Sequence, residues 1–396
     1  MNYTNNENGS FPTPQNPYDN RRDGFEQNRN MPSQPMPSQQ NNAYYPQYQQ
    51  NEYTNPAQYP SGYVQNVSVH ESRRASYRKT ATKAINGVAL IGILHVGIML
   101  LLQMLIEAFF SLFGIYRSML GDEFMFWISA ILTVGTTFSV SLIYLLVKRP
   151  ALSEIFHFQK ASKLNVVLGI VAGVGICMLA NCPAWFLREA LEFIGYKQAS
   201  FIPRSFNPRT VWIYYLGVAV LPPVLEEILF RGIIMRGLEK YGKLFALLVS
   251  SILFGIVHME LTIAVFATIC GMVCGFLYMK TRNIWVPIAV HFFNNLLGVT
   301  STFFFEWFGK DASLMSAVLI LAMASIGIIA LVLLLLLNKE TPFFNVPDVE
   351  SKNSAKASAG GAMTFSETVI ATVKSVCFWA MVAMLLIMMI VLAVRR

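Results

Sequence analysis

The sequence has 396 residues, of which 54% are hydrophobic and 13% are charged. A soluble globular protein carries about 25% charged residues, so this composition excludes an ordinary soluble domain and indicates an integral membrane protein. The net charge is +8, but the basic residues fall mainly in short clusters beside apolar runs. Such clusters are typical of membrane orientation signals, so we expect contact with the lipid bilayer and no nucleic acid partner.

The first 72 residues are rich in Asn, Gln, Pro, Tyr and Ser. This composition offers too little aliphatic surface to offset the entropy of ordering the chain, so we interpret residues 1–72 as a disordered tail. The basic stretch SRRASYRKTATK follows at 72–83, directly before the first long apolar run. By the positive-inside rule, the tail lies in the cytoplasm.

Nine apolar stretches approach the length of a transmembrane helix, about 20 residues, although the fifth is shorter. We therefore predict an all-α fold, a polytopic membrane helix bundle of about eight to nine transmembrane helices. The bundle occupies 73–338, and a flexible polar linker at 339–368 leads to a C-terminal helix at 369–396. Strict alternation would place Arg395 and Arg396 outside the cell, against the positive-inside rule, so the topology of the last helix stays open. The predicted spans are 85–115, 124–147, 164–187, 209–231, 244–260, 262–280, 284–302, 314–337 and 369–394.

The five cysteines all fall within or beside apolar stretches, and no CxxC motif is present. Cys270 and Cys274 are four residues apart, a spacing that permits a metal pair, but thiols on a lipid-embedded helix are more often packing residues. We therefore predict no disulfide framework.

The segment LPPVLEEILFRG, at 221–232, carries three charged residues inside a predicted span. Charge inside a membrane is costly and usually marks a functional site. Glu227 and Arg231 are four residues apart and share a helix face, so we expect an ion pair between them. Glu226 points about 100° away from Glu227 and lacks that partner. An unpaired carboxylate in an apolar site takes up a proton readily, as a general base must. The alternative is a structural ion-pair cluster at a helix end.

Two further spans carry histidine. His258 ends the segment LFGIVH, and Phe254, one helical turn earlier, is placed to pack over its ring. His291 and Asn295 share a helix face in HFFNN, with Asn294 as a rival to Asn295. Such donors can hold an oxyanion, but they can equally hydrogen-bond neighbouring helices. Taken together, the three segments offer a base, an orienting imidazole and polar donors, the minimum set for activating a water molecule against a peptide carbonyl.

The motifs EExxxR (EEILFR, 226–231), FxxxH (FGIVH, 254–258) and HxxxN (HFFNN, 291–295) occur in this order on three apolar segments. In that arrangement the chain resembles the CPBP family, the CAAX-prenyl-protease-like and bacteriocin-processing (Abi) intramembrane endopeptidases, which include the lysostaphin-resistance-protein group. The resemblance covers roughly residues 205–300, the predicted catalytic core, about a quarter of the chain.

The resemblance implies a role for each matching residue. Glu226 would activate water, His258 would position the water or substrate, and Glu227 and Arg231 would order the site. His291 and Asn295 would then stabilise the oxyanion.

The resemblance leaves the need for a metal open, because the family is often labelled metalloprotease. We favour no cofactor. The alternative is a zinc ion held by Glu226, His258 and His291, since catalytic zinc takes three protein ligands and a water molecule. In that case Glu227 would replace Glu226 as the base.

We therefore predict an intramembrane endopeptidase that hydrolyses membrane-associated protein or peptide substrates, in peptide maturation or bacteriocin self-immunity. A catalytically silent membrane scaffold or regulator is the alternative. A transporter is a third reading, which the lack of inverted repeats or paired broken helices disfavours. Nothing outside the three motifs indicates specificity for a prenylated CAAX protein.

Overall fold

A computed structural model describes residues 61–116, 119–156, 158, 162–195, 211–338 and 365–394. These residues are helical almost throughout, and apart from one bridge between Phe158 and Asn283 they form no β-structure. The prediction of an all-α membrane bundle is confirmed. Most of the predicted tail at 1–72 and of the predicted linker at 339–368 lies outside the described residues, namely 1–60 and 339–364. The remaining parts, 61–72 and 365–368, belong to helices.

The helices follow one another with short connections. Two segments, Tyr215–Val220 and Ile228–Met235, are π-helical, and Gly309–Asp311 is a 3₁₀ turn. The described α-helices are α1 (Ser61–Leu112), α2 (Asp122–Lys148), α3 (Leu152–Ile155), α4 (Lys163–Leu179), α5 (Asn181–Phe193), α6 (Val211–Tyr214), α7 (Leu221–Glu227), α8 (Arg236–Glu239), α9 (Lys243–Ile256), α10 (Leu261–Thr281), α11 (Trp285–Phe308), α12 (Ala312–Leu337), α13 (Phe365–Val373) and α14 (Val376–Val394).

Five helical stretches of the described chain are long and apolar enough to cross a membrane, or six if α13 and α14 form one span. The five are Ala75–Leu112, Glu123–Lys148, Lys163–Phe193, Leu261–Thr281 and Gly309–Leu337. Three more predicted spans correspond to the run 211–239, to α9 and to α11. Of these, α9 has only 14 residues. The predicted eight to nine crossings require these three segments to span the membrane as well.

The charged residues of LPPVLEEILFRG lie on one helical run, Val211–Glu239, which we call the carboxylate helix. Its central part, α7, begins with Pro222 and Pro223 in its first turn. Proline has no N–H to donate to the preceding turn, and the N–H of Leu221 bonds to the carbonyl of Leu216, five residues back. The wide π-helical turn therefore lies where the prolines interrupt the α-helical pattern, and such turns are frequent at functional sites.

Hydrogen bonds connect the end of the carboxylate helix, and the residues just after it, to α1 and to the end of α10. Arg282 donates from Nη1 to both carboxylate oxygens of Glu239 at 2.8 Å, and Arg236 reaches the same carboxylate at 2.7 Å. Just beyond the helix, the hydroxyl of Tyr241 donates to the carbonyl of Thr80 at 3.1 Å. These contacts fix the axial position of the helix that carries the two glutamates.

Helices α4 and α12 approach each other closely at a pair of glycines. A Cβ on Gly175 would lie 2.5 Å from Cα of Gly327, so only glycine fits at this crossing. Two other helical glycines also lie close to their neighbours, because Gly173 packs against side chains of α10 and α11, and Gly271 packs against α9. Close approach of helices at small residues is thus a general feature of the bundle.

The predicted C-terminal helix is broken in two. Helices α13 and α14 meet at an angle of 70°. Between them, the hydroxyl of Ser375 accepts the N–H of Phe378 and donates to the side-chain oxygen of Asn86. Because Ser375 caps a new helix at this point, the chain turns rather than continuing straight.

Candidate active site

A cavity of about 380 Å³ lies among α2, the carboxylate helix, α10 and α11. Glu226, His258, His291 and Asn295, four of the six residues predicted from the sequence, line it together with Asn294. Much of the remaining wall is apolar, from Phe126, Ala130, Val218, Pro222, Phe254, Ile263, Phe266 and Ala267. The structure therefore brings side chains from all three motifs to one cavity.

Glu226 and Glu227 have different surroundings, although they are neighbours in the last turn of α7. Glu226 faces the cavity, and its Oε2 lies 3.9 Å from Nε2 of His291. That distance is too long for a direct hydrogen bond and leaves the carboxylate available to another partner. Glu227 is fully buried on the protein side.

Glu227 joins two of the motifs. Its Oε1 accepts a hydrogen bond from Nη1 of Arg231 at 2.9 Å, which confirms the ion pair predicted from their spacing. The same oxygen lies 2.9 Å from Nδ1 of His291 on α11. Arg231 also donates from Nη2 to the carbonyl of Gly271 on α10, at 2.9 Å. The buried pair therefore links the carboxylate helix to both α10 and α11.

The contact with Glu227 determines how His291 presents its ring. A carboxylate paired with Arg231 can only accept hydrogen bonds, so Nδ1 of His291 carries a proton. In the neutral ring, Nε2 is then an acceptor, and in the doubly protonated ring it is a donor. In either form it faces Glu226 across the cavity. The sequence did not predict this contact, because helical spacing says nothing about distances between helices.

His258 lies in the turn that follows α9, two residues past its end, rather than on a helix as predicted. Its Nδ1 is 2.7 Å from the carbonyl of Phe254, and since a carbonyl only accepts, Nδ1 is the protonated nitrogen. Nε2 of a neutral His258 is therefore an acceptor.

The ring of Phe254 stands between the ionisable groups. It meets the rings of His258 and His291 edge-on, with centroids 5.2 and 5.5 Å away. The guanidinium carbon of Arg231 lies 4.7 Å from the centre of the same ring, a cation–π contact. The predicted packing of Phe254 against His258 is confirmed, and its contacts with the other two motifs are additional.

The two asparagines form a short chain of hydrogen bonds. Asn295 donates from Nδ2 to the carbonyl of Val218 at 2.9 Å, and its Oδ1 accepts from Nδ2 of Asn294 at 3.3 Å. The Oδ1 of Asn294 is buried and has no hydrogen-bond partner within the described part of the chain. Both side chains line the cavity, so Asn294, which the sequence left as an alternative to Asn295, lies at the site as well.

The three alternative zinc ligands, Glu226, His258 and His291, line the same cavity. Across the described ranges, however, no three His, Cys, Asp or Glu side chains converge closely enough to hold a metal ion. Cys270 and Cys274 are buried beside the cavity and likewise assemble no such group. The side chains as placed do not fit a zinc site.

Comparison with known proteins covers this same region. The family described as type II CAAX prenyl endopeptidase, Rce1-like, matches residues 208–297, a range that holds all six predicted site residues. The Bacillus subtilis (strain 168) protein named "Putative membrane peptidase YdiL" is 30% identical over 176 residues, which are 44% of this chain and 72% of that protein. No solved structure matches the chain.

Proposed function

The chain belongs to the CPBP family, as its Rce1-like domain and its membrane peptidase relative show, and it is a membrane protease. We propose that it hydrolyses its substrates with a water molecule that Glu226 activates. The observation that carries this proposal is the division of labour between the adjacent glutamates. Glu226 opens onto the cavity, whereas Glu227 is committed to Arg231 and His291.

In the first step, the Glu226 carboxylate takes a proton from water, and the water oxygen attacks the scissile carbonyl carbon. His258 orients this water, because the contact of Nδ1 with Phe254 leaves Nε2 as an acceptor for the second water proton. The protonated Glu226 then gives its proton to the leaving nitrogen, so that one residue serves as base and acid in turn.

The oxyanion formed by this attack requires donors. His291 supplies one from Nε2 when its ring is doubly protonated, and Glu227 stabilises that cation through Nδ1. The Asn295 amide supplies another from the N–H that is not bonded to Val218. Glu227 and Arg231 act as positioning residues, since both are fully buried and neither lines the cavity.

The substrates we propose are membrane-associated proteins or peptides, because the cavity lies within a bundle of apolar helices. Peptide maturation and self-immunity against bacteriocins are the processes in which such a cleavage would act.

Glu226→Gln tests the proposal, since it keeps the shape of the side chain and removes the base. We expect cleavage in reconstituted membranes to fall by about 1,000-fold or more. Comparing membrane-bound and secreted peptides from wild-type and Glu226→Gln cells would identify the substrate as the peptide that fails to appear. Unchanged cleavage and an unchanged peptide profile in the variant would refute the glutamate mechanism and favour a scaffold role.

A chelation experiment tests the choice between direct proton transfer and zinc. We expect 1,10-phenanthroline to leave cleavage unchanged, because the carboxylate needs no metal to accept a proton. Loss of activity on chelation, restored by added zinc, would replace this mechanism with the zinc alternative.

A further inference from the structure

The carbonyl of Val218 lacks a donor from its own helix. The residues four and five positions later, whose N–H groups would bond to it in an α-helix or a π-helix, are Pro222 and Pro223. The N–H three positions later, on Leu221, is given to Leu216. A main-chain carbonyl that its own helix leaves unpaired inside an apolar bundle requires another partner, and the side chain of Asn295 provides it from α11 at 2.9 Å.

This contact fixes the orientation of both asparagine amides. The Val218 carbonyl can only accept, so Asn295 must present its nitrogen to it and direct its oxygen away. That oxygen in turn receives the nitrogen of Asn294 at 3.3 Å. Because the two prolines leave the Val218 carbonyl without a main-chain donor, Asn295 donates to it and Asn294 donates to Asn295. The Oδ1 of Asn294 is then the acceptor that has no donor.

Asn294 differs from the other buried side chains of the described chain that have an unpartnered polar atom. Its exposed fraction is 6%, and it is the one member of that group that also lines the cavity. Glu227 and Arg231 each have an unpartnered atom as well, but both lie behind the cavity wall. An unsatisfied buried acceptor on the wall of a binding cavity indicates a donor supplied by what binds there.

A peptide substrate has such donors. When its backbone enters a cavity inside the bilayer, each N–H that loses water needs an acceptor from the protein. The carboxylate of Glu226 and the Nε2 of His258 are assigned to water in the proposed mechanism. The neutral Oδ1 of Asn294 remains, and because it is shielded from solvent, a hydrogen bond to it would form in a dry environment.

We infer that Asn294 is a substrate-binding residue whose Oδ1 accepts one backbone N–H of the peptide near the scissile bond. This inference rests on the proposed function. The neighbouring Asn295 is oriented by the prolines and faces the reacting carbonyl. The pair thereby offers the substrate backbone a donor, for the oxygen of the reacting carbonyl, and an acceptor, for an N–H of a neighbouring peptide group.

The test uses the full-length protein in liposomes and a quenched fluorescent peptide that spans the cleavage site found in the peptide comparison. In a series of analogues, one backbone N–H at a time, apart from the scissile bond, is replaced by an ester oxygen. For the wild type we expect one position at which the ester lowers kcat/KM by about tenfold, the effect of one hydrogen bond. In Asn294→Leu, which removes the acceptor, that position should lose its penalty while the other positions keep theirs.

Asn294→Asp retains an acceptor and should retain the position-specific penalty. Thr133→Val is the matched control, because Thr133 lines the cavity but donates its hydroxyl to the carbonyl of Ser129, and it should also retain the penalty. Gel filtration and thermal unfolding report whether each variant folds, and Asn294→Ala replaces the leucine variant if that one does not.

The inference is overturned if no ester analogue is penalised, or if Asn294→Leu and wild type show the same penalty at every position. A residue with only a structural role would lower cleavage of all analogues equally. A separate measurement tests the proposed function itself. If the Glu226→Gln variant still cleaves the peptide without ester substitutions, the proposed function fails.

Discussion

At the level of single residues, two glutamates joined by one peptide bond have separate tasks because a helix turns by about 100° per residue. The rotation directs Glu226 into the cavity and Glu227 towards Arg231 and His291. The spacing rule predicted the ion pair, and the structure adds that its carboxylate also holds an imidazole from another helix. The stabilities of variants at the two positions should therefore differ sharply.

Glu227→Gln should destabilise the protein by about 3 to 5 kcal/mol, since it leaves the fully buried Arg231 without its counter-charge. Glu226→Gln should change stability by less than about 1 kcal/mol, because its carboxylate has no direct partner at hydrogen-bonding distance. Unfolding in detergent, followed by circular dichroism, measures both. Equal losses would show that Glu226 is part of the structural ion-pair cluster.

The residues that the sequence could identify are those whose chemistry is unusual for a membrane. Glu226, His258 and His291 were recognisable because polar groups in apolar segments are rare, and all three line the cavity. The substrate contact proposed for Asn294 was not recognisable. It depends on the carbonyl of Val218, and no pattern in the sequence reports which carbonyl a side chain on another helix will reach.

At the level of helices, the carboxylate helix combines two π-helical segments with a proline pair. Sequence periodicity predicts a helix here, but it cannot distinguish a π-helical turn from an α-helical one, because both keep the same residues helical. Two prolines in a helical run predict a kink. Their consequence, a carbonyl bonded from α11, becomes visible only with the neighbouring helix in place.

Replacing both prolines, Pro222→Ala with Pro223→Ala, should return main-chain donors to the Val218 carbonyl. Asn295 would then compete for its acceptor, and we expect kcat/KM for peptide cleavage to fall about five- to tenfold without loss of folding. Pro287→Ala is the control, because Pro287 lies in the first turn of α11, where an N–H has no helical partner. An unaffected double variant would mean that Asn295 does not depend on the prolines.

The glycine crossing of α4 and α12 gives a second test at this level. Gly175→Ala should destabilise the bundle by about 1 to 3 kcal/mol, because its methyl group would overlap Gly327. Gly97→Ala on α1 has nothing within 4 Å of the added carbon and should be neutral. Thermal unfolding of both variants in the same detergent decides the point, and equal midpoints would mean that the two helices can separate at little cost.

At the level of the whole molecule, contacts between α1 and the C-terminal helices bear on the topology of the last helix, which the sequence left open. Arg78, near the start of the apolar stretch Ala75–Leu112 of α1, pairs with Glu367 on α13 at 2.6 Å. Farther along, Ser375 bonds to Asn86, and Met381 lies against Gly92. Because the positions rise together, α14 runs parallel to α1. Helix α13 therefore lies at the starting end of α1, and α14 ends at the opposite one.

This arrangement predicts that the two ends of the chain lie on opposite sides of the membrane. The basic stretch at 72–83, in the first half of α1, indicates that the N-terminus lies in the cytoplasm. A green fluorescent protein should therefore fluoresce when fused to the N-terminus and stay dark when fused to the C-terminus. Alkaline phosphatase fused at the C-terminus should be active. A fluorescent fusion placed after Asn338 serves as the control and should be bright. Fluorescence at the C-terminus would instead make α13 and α14 a re-entrant pair.

The ring of Phe254 has a consequence for hydration. A protease inside a bilayer must admit water to one carboxylate and keep it from an ion pair a few ångströms away. Phe254 lines the cavity and packs against the guanidinium of Arg231, which is itself fully buried and does not line the cavity. Away from water, the attraction between Glu227 and Arg231 is screened less than it would be in solvent. One aromatic side chain thus contacts both the ion pair that makes the site rigid and the cavity that must admit water.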